Sequence, residues 1–269
     1  MTGSNFSYDI TMDNDNVASG QYMSISANRL GVGESLTFDG SAEADGMFKV
    51  YSGAGDDFLL GGQRADIIWG GAGSDRIAGA AGADELHGGA GADIFAYWLA
   101  SQSTTAARDH IVDFETGDLI DLSGIDAIAG SPAQDGFSFI GAAAFSNTAG
   151  ELRVHRDGGF WYVDGDTNGD GTADLSIKVT ADAGYGWSAN DFLLSAGPPP
   201  DRDGARAPID PLLTDGVHGW ALARVQDDLG SVIDVVIAHH VSVPEIVAVG
   251  SVHDQVLDTL HHAADAFLL

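Results

Sequence analysis

The sequence contains no cysteine, and only 11 of its 269 residues are lysine or arginine, against 40 aspartate and glutamate residues. Without cysteine no disulfide can hold the fold, so its rigidity has to come from packing or from bound metal. The formal net charge of −29 argues against nucleic acid or an anionic membrane surface as a partner. It favours a solvated acidic surface or a protein that binds cations.

Long apolar runs are also absent. No stretch approaches the ~20 apolar residues that a membrane-spanning helix needs, so we expect no membrane span. The N-terminal MTGSNFSYDI has neither a basic region nor an apolar stretch, and we expect no N-terminal signal peptide. The protein is then either cytosolic or exported by a route that does not read the N-terminus. The apolar fraction of 44% is still sufficient for a core.

Common catalytic motifs are missing as well. None of the nine histidines is followed by glutamate, so the H-E-x-x-H helix of many metallopeptidases is absent. No serine stands in a G-x-S-x-G motif, and there is no cysteine nucleophile. These absences predict that the chain, as it stands, is not an enzyme.

The chain is organised around a nonapeptide that occurs five times between residues 52 and 96. The units read SGAGDDFLL, GGQRADIIW, GGAGSDRIA, GAAGADELH and GGAGADIFA. The sixth place is always aspartate: Asp57, Asp66, Asp75, Asp84 and Asp93. The eighth place is always a large apolar residue: Leu59, Ile68, Ile77, Leu86 and Phe95. This is the pattern G-G-x-G-x-D-x-U-x of RTX (repeats-in-toxin) proteins, in which U is apolar.

The spacing predicts a parallel β-roll. Each eighth place centres a short strand that turns one side chain inward, and the glycines supply the positive φ angles of the turns. Two nonapeptides complete one coil, and coils stack at the strand spacing of ~4.8 Å. Repeats two apart then lie above each other, which places Asp57, Asp75 and Asp93 on one edge and Asp66 and Asp84 on the other.

Stacked carboxylates repel each other, so we expect the roll to need a cation. Ca²⁺ is the expected cofactor, because it takes ~6–8 oxygen ligands from carboxylates and backbone carbonyls. Ser52, Arg64 and Ala80 replace glycines of the pattern, and we expect weaker binding at the edge that holds Asp66 and Asp84. A disordered Gly/Asp linker is the alternative, but such linkers do not keep apolar residues in one phase. Three gaps have an aspartate above and below: 57/75, 75/93 and 66/84.

The expected metal ligands combine these aspartates with glycines of the turns. Those glycines are Gly53, Gly55, Gly62, Gly71, Gly73, Gly79, Gly82, Gly89 and Gly91. Asp113 and Asp118 either complete a calcium site at the end of the coil or cap turns. A further candidate is the loop with Asp166, Asn168, Asp170 and Asp174, which follows the start of an EF-hand loop. Since Ile177 replaces the usual glutamate there and no helices flank the loop, a β-hairpin loop is the alternative.

Residues 88–127 resemble the C-terminal domain of the serralysins, secreted metalloproteases that carry RTX repeats. In that family the last repeat runs into an aromatic strand, and a loop leads to the motif D-x-I-x-D-F…G-D-x-I-D-L-S. The matching positions are Asp109, Ile111, Asp113, Phe114, Gly117, Asp118, Ile120, Asp121, Leu122 and Ser123. The resemblance covers roughly residues 50–195 and implies a secreted calcium-binding module without the catalytic domain.

We therefore predict an all-β fold with four segments. Residues 1–50 form an N-terminal β cap, 51–97 the β-roll, and 98–197 a serralysin-like, β-sandwich-like region. Residues 198–269 form a proline-rich linker and a tail that is partly helical, because apolar residues recur at helical spacing over 252–267. The cap strands are expected at Tyr8–Met12, Tyr22–Ala27, Ser35–Phe38 and Phe48–Tyr51.

The tail carries two further signals. Six of the nine histidines lie there, but their spacing does not put two of them on one helical face, so we do not expect a zinc site. The last residues, ADAFLL, resemble the C-terminal signal of proteins that leave the cell through a type I exporter. That resemblance implies a type I exporter as a partner and an extracellular location.

Three functions remain open from the sequence. The first is a secreted, non-catalytic RTX protein whose β-roll folds when it binds calcium outside the cell. The second is an adhesin or matrix module whose tail docks a partner through an apolar patch. The third is an accessory domain of a secreted metalloprotease, which neighbouring genes for an H-E-x-x-H protein would favour.

Overall fold

The computed structural model describes residues 7–195 and the backbone of three strands between residues 220 and 248. It divides into two compact units, Met1–Arg202 and Asp203–Leu269. Among the described residues there is no helix of the length and apolarity that a membrane crossing requires.

In the described part of the first unit, the regular secondary structure consists almost entirely of short β-strands. In the first half these are β1 (Ser7–Thr11), β2 (Tyr22–Ser26), β3 (Ser35–Asp39), β4 (Met47–Tyr51), β5 (Phe58–Leu60), β6 (Ile67–Ala72), β7 (Arg76–Ala78) and β8 (Glu85–Ala90). In the second half they are β9 (Ile94–Ala96), β10 (His110–Ile111), β11 (Leu119–Asp121), β12 (Ser138–Phe139), β13 (Glu151–Asp157), β14 (Phe160–Asp166), β15 (Leu175–Val179) and β16 (Phe192–Leu193). Two single-turn 3-10 helices lie at Ala100–Gln102 and Ala189–Asp191.

Successive strands of the repeats alternate between two sheets, as the 18-residue coil predicts. Within residues 7–195, one sheet has the order β1-β3-β5-β7-β9-β11-β16 and the other the order β12-β13-β14-β15-β10-β8-β6-β4-β2. The strands of the roll pair in parallel, and Leu59 lies opposite Ile77 while Ile68 lies opposite Leu86. The predicted all-β fold with a parallel β-roll is confirmed.

The core lies between the two sheets. The eighth-place residues of all five repeats are fully buried there, as predicted: Leu59, Ile68, Ile77, Leu86 and Phe95. Each such side chain contributes roughly 1.5–3 kcal/mol when it leaves water. The repeat pattern therefore supplies a continuous apolar column as well as two edges of aspartate.

The segment predicted as an N-terminal cap continues the roll. Its strands begin and end within one residue of the predicted positions, but β3 pairs in parallel with β5 and β4 with β6. Phe38 and Val50 lie opposite Leu59 and Ile68 and are equally buried. The strands β1 and β2 extend the roll once more and form its N-terminal edges.

Beyond the repeats the two sheets extend without interruption. Strand β10 pairs with β8, and β11 pairs with β9, although a loop of thirteen residues separates β9 from β10. The antiparallel strands β13, β14 and β15 then widen one sheet. The division at residues 50 and 97 remains a prediction, and strands from all three segments share these two sheets.

The second unit contains a described antiparallel sheet of β17 (Trp220–Gln226), β18 (Val232–His240) and β19 (Val243–Ala248). Strands β17 and β18 coincide with two stretches of the sequence that are rich in apolar residues. The predicted helical segment at 252–267 and the terminal ADAFLL lie outside the described residues.

Candidate metal centre

The repeat aspartates form two hydrogen-bonded columns, one along each edge of the roll. In the first column Oδ1 of Asp75 accepts the backbone N–H of Asp57 at 2.9 Å, and Oδ1 of Asp93 accepts that of Asp75 at 2.9 Å. In the second, Oδ1 of Asp84 accepts the backbone N–H of Asp66 at 2.8 Å. Each carboxylate thus ties its own turn to the turn one coil before it.

Both columns are longer than the repeats alone indicate. Oδ1 of Asp118 accepts the N–H of Asp93 at 3.0 Å, so Asp118 ends the first column. Oδ1 of Asp109 accepts the N–H of Asp84 at 3.0 Å, so Asp109 ends the second. Sequence reasoning gave Asp118 as a metal candidate but not Asp109. Both stand 25 residues after their partners rather than 18, so the repeat spacing by itself identifies neither. An aspartate directly before a short apolar strand is the signal that could have identified Asp109.

The second oxygen of these carboxylates distinguishes the middle of the columns from their start. Oδ2 of Asp57 accepts the hydroxyl of Ser52, and Oδ2 of Asp66 accepts the N–H of Gly62 at 2.6 Å. In the three later repeats Oδ2 is buried and accepts no hydrogen bond, and these residues are Asp75, Asp84 and Asp93. Buried polar atoms without partners are uncommon in folded proteins, so these oxygens are candidate ligands for a cation.

Backbone carbonyl groups crowd the same edge. Gly71 and Gly73 have φ angles of +112° and +129°, and a Cβ added to them would overlap the carbonyl oxygens of Gly53 and Gly55. Gly89 and Gly91 lie in the same way over Gly71 and Gly73. On this edge the predicted glycines therefore stack in two series, 53/71/89 and 55/73/91, each carbonyl one coil below the next glycine.

Burial shifts the titration of the column residues strongly. Desolvation raises the pKa of Asp75 to about 8, and the neighbouring charges of Asp57 and Asp93 add to this. Desolvation also raises the pKa of Asp66 and of Asp118 to about 6. The pKa of Asp84 is raised by desolvation and by the carboxylate of Asp109. Without a cation, folding therefore makes these carboxylates harder to ionise than they are in water.

The donor set fits a hard cation. In the described residues, no three carboxylate or imidazole groups converge on one point. A cation in a gap would therefore be held by carboxylates of two stacked turns and by backbone carbonyls, which are the oxygen ligands that Ca²⁺ takes. The unpartnered Oδ2 atoms of Asp75, Asp84 and Asp93 would be available to such a cation.

The remaining candidates are placed differently. Oδ1 of Asp113 accepts the N–H of Gly88 at 3.0 Å, at the end of the coil but outside both columns. Asp166, the last residue of β14, accepts backbone N–H groups on both oxygens, from Gly169 and Gly171 among others. Asp174 accepts the N–H and hydroxyl of Thr167. These internal bonds favour the hairpin-loop interpretation of residues 166–174.

Two solution structures resemble the fold, both of subunits of a mannuronan C5-epimerase from Azotobacter vinelandii. The AlgE6R3 subunit is 22% identical, with 68% of this chain and 83% of that chain covered and a TM-score of 0.36. The AlgE6R2 subunit is 21% identical, with 66% and 94% covered and a TM-score of 0.37. No curated protein matches the sequence.

A family model described as "Peptidase M10 serralysin C terminal" matches residues 11–194. The match includes the predicted block from Asp109 to Ser123 and extends to the strands before the repeats. It covers more than half of the 269 residues. The chain belongs to the family of serralysin C-terminal domains.

Proposed function

We propose that this protein is a calcium-binding, non-catalytic RTX module whose roll folds when calcium binds outside the cell. The observation that carries this proposal is the row of buried Oδ2 atoms without partners on Asp75, Asp84 and Asp93. A buried carboxylate is costly unless an opposite charge compensates it. The glycine-lined edges place carbonyl oxygens beside these carboxylates, and no side chain can occupy that space.

The residues that would hold the ions follow from the columns. On the first edge they are Asp57, Asp75, Asp93 and Asp118, with the carbonyls of the stacked glycines; on the second they are Asp66, Asp84 and Asp109. Bound calcium supplies the positive charge that lets these carboxylates stay ionised in the folded roll. Five stacked pairs result, two more than the repeats alone predict: 57/75, 75/93, 93/118, 66/84 and 84/109.

The repulsion between the column carboxylates makes folding depend on the positive charge of bound calcium. At neutral pH without calcium, ionised carboxylates of adjacent coils oppose stacking. A ligand that binds only the folded state stabilises it by mass action. Calcium sites of extracellular modules have dissociation constants of roughly 10⁻⁴–10⁻³ M, so such a roll stays loose in a low-calcium cytosol and folds outside.

The decisive experiment is a calcium titration of the metal-free protein followed by far-UV circular dichroism, with magnesium as the control ion. We expect a cooperative gain of β-sheet signal near millimolar calcium and none with magnesium, which keeps its water and needs a tighter geometry. A metal-free protein that is already folded at neutral pH, and that calcium leaves unchanged, would contradict the proposal.

Secretion is the second part of the proposal. Its support is the family of this chain and the resemblance of ADAFLL to a type I export signal. Co-expression with a type I exporter should release the protein into the medium, and deletion of residues 264–269 should abolish the release. Equal release of both forms would contradict export through that signal.

A role as accessory domain of a secreted metalloprotease is the second candidate, and the family description favours it. It predicts that the calcium-loaded module raises the stability or activity of a separately supplied peptidase domain. An unrelated calcium-binding protein at the same concentration is the control.

A further inference from the structure

A polar cavity of about 340 Å³ opens on the widened sheet. Its walls come from β13, β14, the loop before β10 and the loop before β15. Two of the eleven lysine and arginine residues, Arg108 and Arg153, meet there with His155. In a chain of net charge −29, such a concentration of basic groups is unexpected.

One buried carboxylate fixes both arginines. Asp164, only 5% exposed, accepts Nη2 of Arg153 at 3.1 Å through Oδ2. Through Oδ1 it accepts the hydroxyl of Ser176 at 2.8 Å, and that hydroxyl oxygen accepts Nε of Arg108 at 2.8 Å. The guanidinium of Arg108 also lies 5.3 Å from the ring centre of Tyr162. Both guanidinium groups are therefore held in place before any ligand arrives.

This arrangement leaves several donors and acceptors free among the described residues. Nε of Arg153 is buried without a hydrogen-bond partner. The Nη groups of Arg108 make no hydrogen bond or ion pair with another described residue, and neither does the carboxylate of Asp157 at the rim. His155 stacks on Tyr162 with ring centres 5.5 Å apart. The cavity thus offers guanidinium donors together with a carboxylate that has no partner among the described residues.

We propose that this cavity binds a small carboxylate that also carries hydroxyl groups, such as a sugar acid. A planar carboxylate matches the fork of donors that a guanidinium presents. The hydroxyl groups would donate to Asp157, which needs donors and repels a second negative charge. The volume is at the lower end of the ~300–1,000 Å³ typical of small-molecule sites. This inference does not depend on the calcium-dependent folding proposed above.

The balance of charges in the cavity favours a hydroxylated carboxylate over inorganic phosphate. Two arginines face two carboxylates, Asp157 and Asp164, so the site does not offer the excess positive charge that a dianion requires. A simple carboxylate such as acetate fits the guanidinium groups but leaves Asp157 without a partner. We therefore expect the affinity order glucuronate, then acetate, then phosphate.

The test uses the calcium-loaded protein and ¹⁵N NMR spectra of the arginine Nε–H groups. Free calcium is held constant with an electrode, because hydroxycarboxylates bind calcium weakly. Glucuronate should shift the signals of Arg108 and Arg153 in a saturable way, whereas glucose should not. Arg108→Met and Arg153→Met should each weaken the binding by about tenfold or more, since each removes a charge-assisted hydrogen bond.

Arg156→Met is the matched control. Arg156 lies on the same strand, is exposed, and reaches the carbonyl of Ala183, so it carries the same charge outside the cavity. Asp157→Ala should weaken the binding of glucuronate but not of acetate. An equal loss in Arg156→Met, or phosphate binding as tight as glucuronate binding, would overturn the proposal. So would a lack of saturable shifts in the wild-type protein, whose fold circular dichroism verifies.

Discussion

The backbone N–H of Asp75 donates a 2.9 Å hydrogen bond to Oδ1 of Asp93, one coil further along the roll, while Oδ2 of Asp93 is buried without a partner. One carboxylate thus does two things. Its first oxygen joins adjacent coils without any metal, and its second oxygen carries a charge that the folded chain leaves uncompensated. The same division recurs in Asp75 and Asp84, so the hydrogen-bonded ladder fixes the register while the charge opposes folding.

Asp75→Asn should therefore change stability in opposite directions with and without calcium. Asparagine keeps an oxygen for the N–H of Asp57 but removes the buried charge, so the metal-free protein should gain about 1 kcal/mol or more at neutral pH. The calcium midpoint should rise roughly tenfold, because two gaps lose a carboxylate ligand. The folded fraction in chelator and the midpoint of a calcium titration, both followed by circular dichroism, measure the two effects.

The matched control is Asp9→Asn, which removes the same charge from an exposed position on β1. It should leave both the metal-free stability and the calcium midpoint nearly unchanged. A loss of metal-free stability in Asp75→Asn would mean that the Asp75 charge stabilises the roll, contrary to the column geometry.

The metal-free roll should lose stability as pH rises. Desolvation raises the pKa of Asp75 to about 8, above its ordinary value of 3.8. An acid whose pKa is raised on folding stabilises the folded state when it is protonated, and that contribution is lost as pH rises through the folded pKa. His110 has a pKa lowered by burial from 6.5 and destabilises the fold only at lower pH. The folded fraction in chelator, followed by far-UV circular dichroism, should therefore fall as pH rises from about 6.5 and level off near the raised pKa of about 8.

Calcium should flatten this dependence, because bound cations keep the column carboxylates ionised throughout that range. Asp75→Asn should also flatten it without calcium. A metal-free stability that increases from pH 6.5 to 9 would refute the assignment of the shift to the buried aspartates.

Gly91→Ala should destabilise the roll far more than Gly130→Ala does. Both glycines have positive φ angles, +146° and +85°, so both substitutions introduce backbone strain of about 1–2 kcal/mol. A Cβ at Gly91 would in addition overlap the carbonyl oxygen of Gly73, whereas nothing lies within 4 Å of one at Gly130. We expect a loss above roughly 3 kcal/mol for Gly91→Ala in calcium-saturated urea unfolding. Equal losses would show that strain alone explains the glycine.

The parts of the fold that the sequence predicts are those where spacing is constant. The period of nine determines which residues face inward, and Leu59, Ile77 and Phe95 are stacked as that period requires. The period also places Asp57, Asp75 and Asp93 in one column. Both results follow because the coil length is constant, so that residues 18 apart in the sequence lie above each other in the roll.

The repeat spacing does not locate strand partners where loops change the coil length. Phe38 lies opposite Leu59 across 21 residues rather than 18, so the period of nine does not pair β3 with β5. Asp109 lies 25 residues after Asp84, and its place in the column became evident only from the hydrogen bond between them. Alternating apolar residues mark such strands, but they do not specify which strand is the partner. The cavity near Arg108 could not be predicted at all, because it depends on how separate loops approach β13 and β14.

Asp121, which belongs to the Asp109–Ser123 motif of the family, stabilises the roll through an ion pair. Oδ2 of Asp121 accepts Nη2 of Arg76 at 2.7 Å, and the two side chains are only 3% and 13% exposed. Breaking a buried pair leaves one charge without compensation, so Arg76→Met should cost about 3–5 kcal/mol. In the double variant with Asp121→Leu the loss should be much smaller than the sum of the two single losses, because no charge is then left alone.

The half-exposed pair of Glu85 and His87 is the comparison, and Glu85→Gln should cost less than about 1 kcal/mol. Urea unfolding of all variants at saturating calcium decides the matter: additive losses at Arg76 and Asp121 would exclude the pair as a source of stability.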